Sequence, residues 1–521
     1  MQLPHVHLCI VQPLGYVHAL GFIDQARFFR HQFRRMGASV TLAKNRLRHD
    51  AVNFVFGAHL GFEAGLRQRH SCIFVNLEQL GAEGAAVTPA YLQLLASSAV
   101  VDYHADNVGA YQARSDDVPL FSFAHAPYLQ PTEVRPLAER AIDLLFFGSM
   151  NERRRALIER LERSGRSVTL LDGPVYGPER DALVMRAKAV LNLHFYPTAR
   201  FEQARVFQCL SLGTPVISER GPGSAVPAQF EDSVHWIDVE QIDDYFRTRF
   251  DTPQFHAASA QQLAAFASHD VIGEYAELLA FAAGYRQVHQ QQMVDEPWRP
   301  TRLHIGSGKD YKPGWLNVDI LASAQPDAVL DLARPLPLPL QIDNPQIGPT
   351  ELHAGNLQRI YANNVLEHVS DLPRLMGNCL RLLADGGVMD IEVPYERAPT
   401  AWQDPTHVRA LNENSWLYYT DWFWYLGWFE HRFALRELSY LDARLKPCQQ
   451  EGAHFMRVRL AKTTTSLAER MTARTLQADF GGLPDDGGDE ATPAAETETR
   501  PAGHETSSAC STSTNPEPAL I

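Results

Sequence analysis

The stretch Leu303-His304-Ile305-Gly306-Ser307-Gly308-Lys309, followed by Leu316-Asn317-Val318-Asp319-Ile320, decides how the C-terminal third of the chain folds. It reads as a buried strand, a glycine turn and a second strand that ends on an acid. Glycines at 306 and 308 permit a tight turn and let a ligand approach where a Cβ would stand. The carboxylate of Asp319 is placed to accept hydrogen bonds from a ribose diol. A dinucleotide-binding fingerprint requires a third glycine at 311 and its acid about 20 residues on. Position 311 is Tyr, and Asp319 comes sooner. A lone Gly-x-Gly turn reads equally as a plain strand-loop-helix turn, so the residues that follow must decide.

Val329-Leu330-Asp331-Leu332 reads as a third strand ending on an acid suited to an adenine amino group. Arg359 to Val369 gives a fourth strand running through Asn363 and Asn364 into Glu367-His368. Leu372 to Leu383 repeats apolar residues at helical spacing and stops at Asp385-Gly386-Gly387, a C-cap signal. Val388 to Pro394 is a fifth strand. Strand, glycine turn, acid, acid, Asn-x-x-Glu-His, Gly-Gly and strand, in that order, resemble the class I methyltransferases that use S-adenosylmethionine (SAM), in particular the small type 11 group. The resemblance covers about 302–462. It implies a Rossmann-like fold with SAM bound by Gly306, Ser307, Gly308, Asp319, Asp331, Asn363 and Asn364. The missing third glycine agrees with a sulfonium nucleoside, which has no pyrophosphate to cradle.

Methyl transfer to oxygen or nitrogen is an in-line displacement, for which the protein supplies alignment and, for a hydroxyl, a base. After the fifth strand, Trp402-Gln403-Asp404-Pro405-Thr406-His407-Val408-Arg409 lies at the carboxyl edge of the sheet, where ligands bind. His407 is the candidate base, with Asp404 orienting it. The alternative is that Asp404 caps the next helix and His407 packs. Residues 416–433 hold ten aromatics, mostly expected in the core, with a minority lining an acceptor pocket. A peripheral membrane patch is a third reading, weakened by flanks without clustered Lys or Arg.

Upstream, His7–Val11, Ser39–Ala43, Val52–Phe56, Cys72–Leu77 and Ala99–Tyr103 read as strands, with a helix from Phe22 to Met36. A second alternating set starts at Ile142 to Ser149 and continues through a basic helix from Arg153 to strands at Val168, Val190 and Pro215. Such alternation means a mostly parallel sheet with helices on both faces. Between the last two strands lies Arg200 to Gly213, read as an amphipathic helix with Glu202 and Arg205 one turn apart. Two consecutive units, the second carrying Glu-x-x-Arg-x-x-x-x-Leu-x-x-Gly-x-Pro-Val-Ile-x-Glu, resemble a GT-B glycosyltransferase of the group 1 kind over about 5–290. The resemblance implies a nucleotide sugar in the cleft. Gly148 and Ser149 would then lie near its diphosphate, Arg205 would offset its charge, and Glu202 or Glu219 would hold hydroxyls. The acid-x7-acid helix motif of many retaining members is missing, and no Asp-x-Asp occurs, which argues against the metal-dependent GT-A alternative. Glu202 and Arg205 can equally be a surface ion pair worth ~0.2–0.5 kcal/mol. His18, His59, His104 and His125 fall near strand ends, and His18, in the loop after the first strand, has the best position for a base.

A chain of 521 residues is too long for one core. The six cysteines show no CxxC or zinc-ligand spacing, and no metal is expected. From Asp479 onward nine acids face one base, Arg500, so the tail carries more than half of the net charge of −14. With almost no large apolar residues it is expected to be disordered. Basic residues form no stripe, so nucleic acid is not an expected partner. No run reaches the ~18 apolar residues of a membrane span. The sequence therefore predicts an α/β protein: two Rossmann-like GT-B halves (1–128 and 129–292), a class I methyltransferase domain (300–462) and a disordered acidic tail (463–521). The expected function is cytoplasmic glycosyl and methyl transfer to a glycan or glycolipid, as in surface polysaccharide biosynthesis, with oligomeric state open. The alternative is a methyltransferase whose GT-B-like part only recognises its target.

Overall fold

The computed structural model describes residues 3–477, apart from 82–83, 112–116, 172, 197–199, 222–224 and 294–295. Residues 1–465 form one compact unit. Its first sheet holds β1 (Val6–Ile10), β2 (Val40–Lys44), β3 (Val52–Phe56), β4 (Ser71–Asn76) and β5 (Ala99–Asp102), in the order β2-β1-β3-β4-β5 and all parallel. Every residue of β1, β3 and β4 is buried, as the apolar runs require of a sheet covered on both faces. The helix Phe22–Arg35 lays Phe28, Phe29 and Phe33 on one face.

The second sheet, also parallel, holds β6 (Ile142–Phe146), β7 (Val168–Leu170), β8 (Ala187–Asn192), β9 (Val216–Glu219) and β10 (His235–Ile237), ordered β10-β9-β8-β6-β7. The helix Ile272–Gln292 follows it in sequence but packs on the first sheet. There the Tyr275 ring lies 5.0 Å from Phe29, Glu274 accepts from the Ser122 amide and hydroxyl, and His289 meets the Ser71 hydroxyl at 3.0 Å. The last helix of the 129–292 stretch thus lies against the first sheet.

The third sheet holds β11 (Arg302–Ile305), β12 (Leu316–Asp319) and β13 (Ala328–Val329), then, past a small hairpin of β14 (Leu340–Ile342) and β15 (Thr350–Leu352), β16 (Leu357–Asn363), β17 (Leu383–Pro394), β18 (His431–Leu441), β19 (Pro447–Cys448) and β20 (Phe455–Thr464). Its order is β13-β12-β11-β16-β17-β20-β18-β19, parallel as far as β17 and antiparallel beyond. The reversal of strand order falls between β11 and β16, where ligands bind in open α/β sheets. Gly386 and Gly387 do not cap a helix. The helix Leu372–Leu382 ends earlier, and both glycines lie within β17, at a break in register. A Cβ on Gly387 would stand 2.8 Å from the Leu357 carbonyl, so close strand approach is what demands glycine there.

A seam joins the third sheet to the first. Arg46 lies 4.4 Å over the Tyr311 ring and Arg69 4.4 Å over Trp298, while Arg302 pairs with Glu63 at 2.7 Å. The tail expected to be disordered from 463 begins differently: β20 runs to Thr464, and Leu467–Leu476 is a helix closed by a Ser466–Glu469 capping box. The acidic stretch itself, 478–521, lies outside the described residues.

Candidate active sites

Between the first two sheets opens a cavity of about 1150 Å³, whose lining includes His18, Gly148, Ser149, Glu202 and Arg205. The chain turns at Gly148 with φ +132°, and a Cβ there would stand 2.8 Å from the Arg205 guanidinium. Glycine is favoured there by the positive φ, and a side chain would also push the Arg205 guanidinium aside. Glu202 is the N-cap of a helix, Gln203–Ser211, shorter than the sequence suggested. It pairs with Arg205, yet not on the surface: Arg154, 2% exposed, also donates to Glu202 at 2.7 Å. Arg154 donates further to the Leu193 and Ser149 carbonyls, and burial lowers its guanidinium to about 10. Arg205 stacks 5.6 Å over Phe147 and leaves its buried Nη1 with no hydrogen-bond partner. A positively charged donor is therefore unmatched on the cavity wall.

Glu219 does not line this cavity as expected. Its buried carboxylate pairs with Arg153 and accepts from the His194 amide at 3.1 Å, so it is already bound by the protein. His18 meets the Tyr176 hydroxyl at 2.9 Å across the cleft. His59, His104 and His125 are not among the lining residues; His104 caps a helical turn and His125 packs on Phe266. Arg154 and Tyr176 were missed in the sequence. The run Arg153-Arg154-Arg155 in the first turn of the helix that follows the Gly-Ser turn was the available signal for the first.

The second site lies at the carboxyl ends of β11, β12 and β16. Gly306 has φ +62°, and a Cβ on it would stand 2.3 Å from Val365, so only glycine fits the turn. Asp319 is clamped from both sides: Oδ2 accepts from the Gly308 amide at 2.8 Å and Oδ1 from the Leu321 amide at 2.9 Å. Each oxygen keeps a second lone pair, enough to receive two hydroxyl donors. Ser307 is buried and its amide bonds the Val318 carbonyl. Asn363 ends β16 with its buried Oδ1 unpartnered, and Asn364 turns the chain at φ +50°. Asp331 stands apart: β13 is only two residues long, and Asp331, exposed, caps the turn at Ala333. The Gly306 cradle and the orphaned Asn363 oxygen fit a nucleoside cofactor such as SAM.

Beyond them, Glu367, His368 and His407 come together, each offering one ligand atom within 4.8 Å of the others. Glu367 is 2% exposed and neither carboxylate oxygen has a hydrogen-bond partner; burial pushes its carboxyl up to about 7. The expected Asp404–His407 pairing is replaced. Asp404 Oδ1 is taken by the Thr406 hydroxyl at 2.6 Å and the Thr406 amide at 2.8 Å, while His407 Nδ1 bonds the Ala401 carbonyl at 2.9 Å. Three residues of separation in a turn bring backbones together without aiming the two side chains at each other. The aromatic run is less buried than expected: of its ten rings only Trp416, Tyr419, Phe423 and Phe433 are buried, while Tyr418, Trp422 and Tyr425 are exposed and the other three half-buried.

No family model matches the chain. Among curated proteins it is 25% identical over 181 residues to the uncharacterized protein L140 of Acanthamoeba polyphaga mimivirus, 33% of this chain and 52% of that protein. The chain thus spans about half the length of the curated relative it matches. Among solved structures, it is similar to Anabaena Alr3699/HepE in complex with UDP and glucose, with a TM-score of 0.36 and 13% identity over 54% of this chain and 100% of the other. A glycosyltransferase from Rickettsia africae gives 0.35 and 7% identity, covering 57% and 100%. A SAM-dependent methyltransferase from Mesorhizobium loti gives 0.22 and 14% identity, covering 34% and 97%. These solved structures thus include a glycosyltransferase and a SAM-dependent methyltransferase.

Proposed function

We propose that the chain carries two transferase sites: a GT-B glycosyltransferase cleft between the first two sheets and a SAM-dependent methyltransferase site on the third. The observation that carries this reading is the clamped Asp319 beside a turn that admits only Gly306, set at the reversal of strand order. SAM supplies the electrophilic methyl group when bound. Asp319 would hold the ribose diol, the Gly306–Gly308 backbone would lie against the cofactor, and Asn363 and Asn364 would complete the pocket, with Asp331 left to cap the turn at Ala333.

In the cleft, the unmatched Arg205 nitrogen and the Gly148–Ser149 backbone suit a diphosphate, and Glu202 a hydroxyl of the donor. His18, on the cavity wall and hydrogen-bonded to Tyr176, is the candidate base for an acceptor hydroxyl. A glycan or glycolipid is the proposed common acceptor, at the cytoplasmic side of surface polysaccharide assembly. The domain limits proposed for these roles are 1–128, 129–292 and 300–462. A second reading, a methyltransferase whose cleft only recognises glycan, draws on one observation: Glu202 is already engaged by two arginines.

Calorimetry with SAM and a panel of nucleoside diphosphate sugars tests both. Binding of SAM and of one sugar nucleotide, with Asp319→Ala losing only the first and Arg205→Ala weakening only the second, is expected. SAM binding alone would leave the recognition reading. No SAM binding would overturn the methyltransferase assignment.

A further inference from the structure

We propose that Glu367, His368 and His407 form a binding site for a divalent first-row transition-metal ion at the carboxyl edge of the third sheet. Two stretches of chain meet to make it. Glu367 and His368 sit in the turn after β16, His407 in the turn after β17, and the Val408 amide bonded to the Glu367 carbonyl at 2.9 Å ties the two turns together. One ligand atom from each side chain lies within 4.8 Å of the other two. Metal–ligand bonds of about 2.1 Å place neighbouring ligand atoms roughly 3–4 Å apart, so a small inward movement of side chains completes the set.

Two independent features mark the cluster as more than proximity. The first is Glu367, a fully buried carboxylate whose oxygens have no hydrogen-bond partner. Buried charges are normally paired or coordinate metals. The second is the arrangement behind the histidines. His407 Nδ1 bonds the Ala401 carbonyl, which fixes the proton on Nδ1. His368 Nδ1 lies 3.0 Å from the Thr406 hydroxyl, whose own proton goes to Asp404 at 2.6 Å. That chain fixes the His368 proton on Nδ1 as well. Both rings are thereby left with a bare Nε2 lone pair, the tautomer a metal requires, oriented by a backbone carbonyl in one case and a carboxylate relay in the other.

Two imidazoles and one carboxylate suit Zn²⁺, Fe²⁺, Mn²⁺ or Co²⁺ and disfavour Mg²⁺ and Ca²⁺, which take oxygen. Three protein ligands leave open positions, the pattern of a catalytic rather than a structural ion. On the methyl-transfer reading above, on which only this clause rests, the open position takes a hydroxyl oxygen of the acceptor. The role expected of His407 then changes from base to ligand, and Asp404 acts through Thr406 on His368 as a positioning residue.

The test uses the full chain, stripped with chelator and titrated with Co²⁺ as the probe, read by its visible d–d absorption and by competition with Zn²⁺. One equivalent of Co²⁺ with nitrogen–oxygen bands, displaced by Zn²⁺, is expected. His368→Gln, at an exposed side chain that leaves the core untouched, and Glu367→Gln should abolish the spectrum. Thr406→Val should weaken the affinity by about 10–100-fold, the usual effect of losing an outer partner. A chain that gives no stoichiometric spectrum overturns the proposal. So does one whose spectrum survives both ligand substitutions, because the ion would then sit elsewhere. SAM calorimetry on the same samples separates the two readings: metal without SAM sinks the methyl-transfer function and keeps the site, and SAM without metal does the reverse.

Discussion

In the cleft, Arg154 is buried to 2% and meets Glu202 and two backbone carbonyls; at the edge of the third sheet, Glu367 is buried to the same 2% and meets no partner among the described residues. The cleft neutralises its charges internally and leaves over a single guanidinium nitrogen. The edge keeps a whole carboxylate unpaired. Each holds a polar group away from water without its full set of partners, but they store very different amounts of free energy. The ionised Glu367 destabilises the empty protein, whereas the Arg154–Glu202–Arg205 cluster holds it together.

The largest expected effect comes from acid. His7 is held neutral by burial down to about 4, His70 to about 3, and His235 and His304 each to about 4. Their ordinary value is 6.5, so below it the unfolded chain binds more protons than the folded one. Stability is complete above 6.5 and drains away as pH falls toward the folded values, by up to about 1.4 kcal/mol per pH unit for each ring. Two of the four rings serve the first sheet and one serves each of the others. Hydrogen exchange followed against pH should therefore show the first sheet opening at the highest pH; simultaneous opening of all three would break the regional contrast.

Arg154→Met comes next. It leaves Glu202 to Arg205 alone and strands the carbonyls of Leu193 and Ser149, and should cost about 3 kcal/mol in denaturant unfolding. A loss below 1 kcal/mol would mean that Glu202 is solvated and the cleft is not self-neutralised. Gly306→Ala forces a side chain to within 2.3 Å of Val365 at a positive φ, for a cost of about 1–3 kcal/mol and a weaker SAM signal in calorimetry. Unchanged SAM affinity would free the turn from the cofactor role. The smallest effect has the opposite sign. In metal-free protein at pH 8, Glu367→Gln should stabilise by about 2 kcal/mol, because it removes a carboxylate whose ionisation burial opposes. Destabilisation instead would show that Glu367 has a partner in solution and would erase the difference between the two sites.

Much of this architecture is legible in local sequence. Strand periodicity and the Gly306 turn locate the sheets, and the acid of Asp319 falls where the clamp is observed, because each depends on neighbours a few residues away. The pairing of Glu202 with Arg205 was also legible, being local, while Arg154 entering from another helix was not. Glu367-His368 stands out as a motif, yet its meeting with His407 depends on how two turns 40 residues apart are brought together. The return of the helix Ile272–Gln292 to the first sheet is illegible for the same reason, since it rests on contacts far apart in sequence. Gly386-Gly387 misled because a glycine pair signals a cap or a close strand contact alike, and only the Leu357 carbonyl tells them apart.

The arginine seam makes the Gly-turn loop a shared possession of two parts of the chain. Tyr311, three residues past Gly308, is half-buried beneath Arg46 from the edge of the first sheet, and Trp298 lies beneath Arg69. On the function proposed above, cutting the chain near 300 would therefore not yield a smaller working methyltransferase. It would uncover two aromatic rings and unfasten one wall of the cofactor turn, so the shorter protein should be sticky and bind its nucleoside poorly even with Gly306, Ser307, Gly308 and Asp319 all intact.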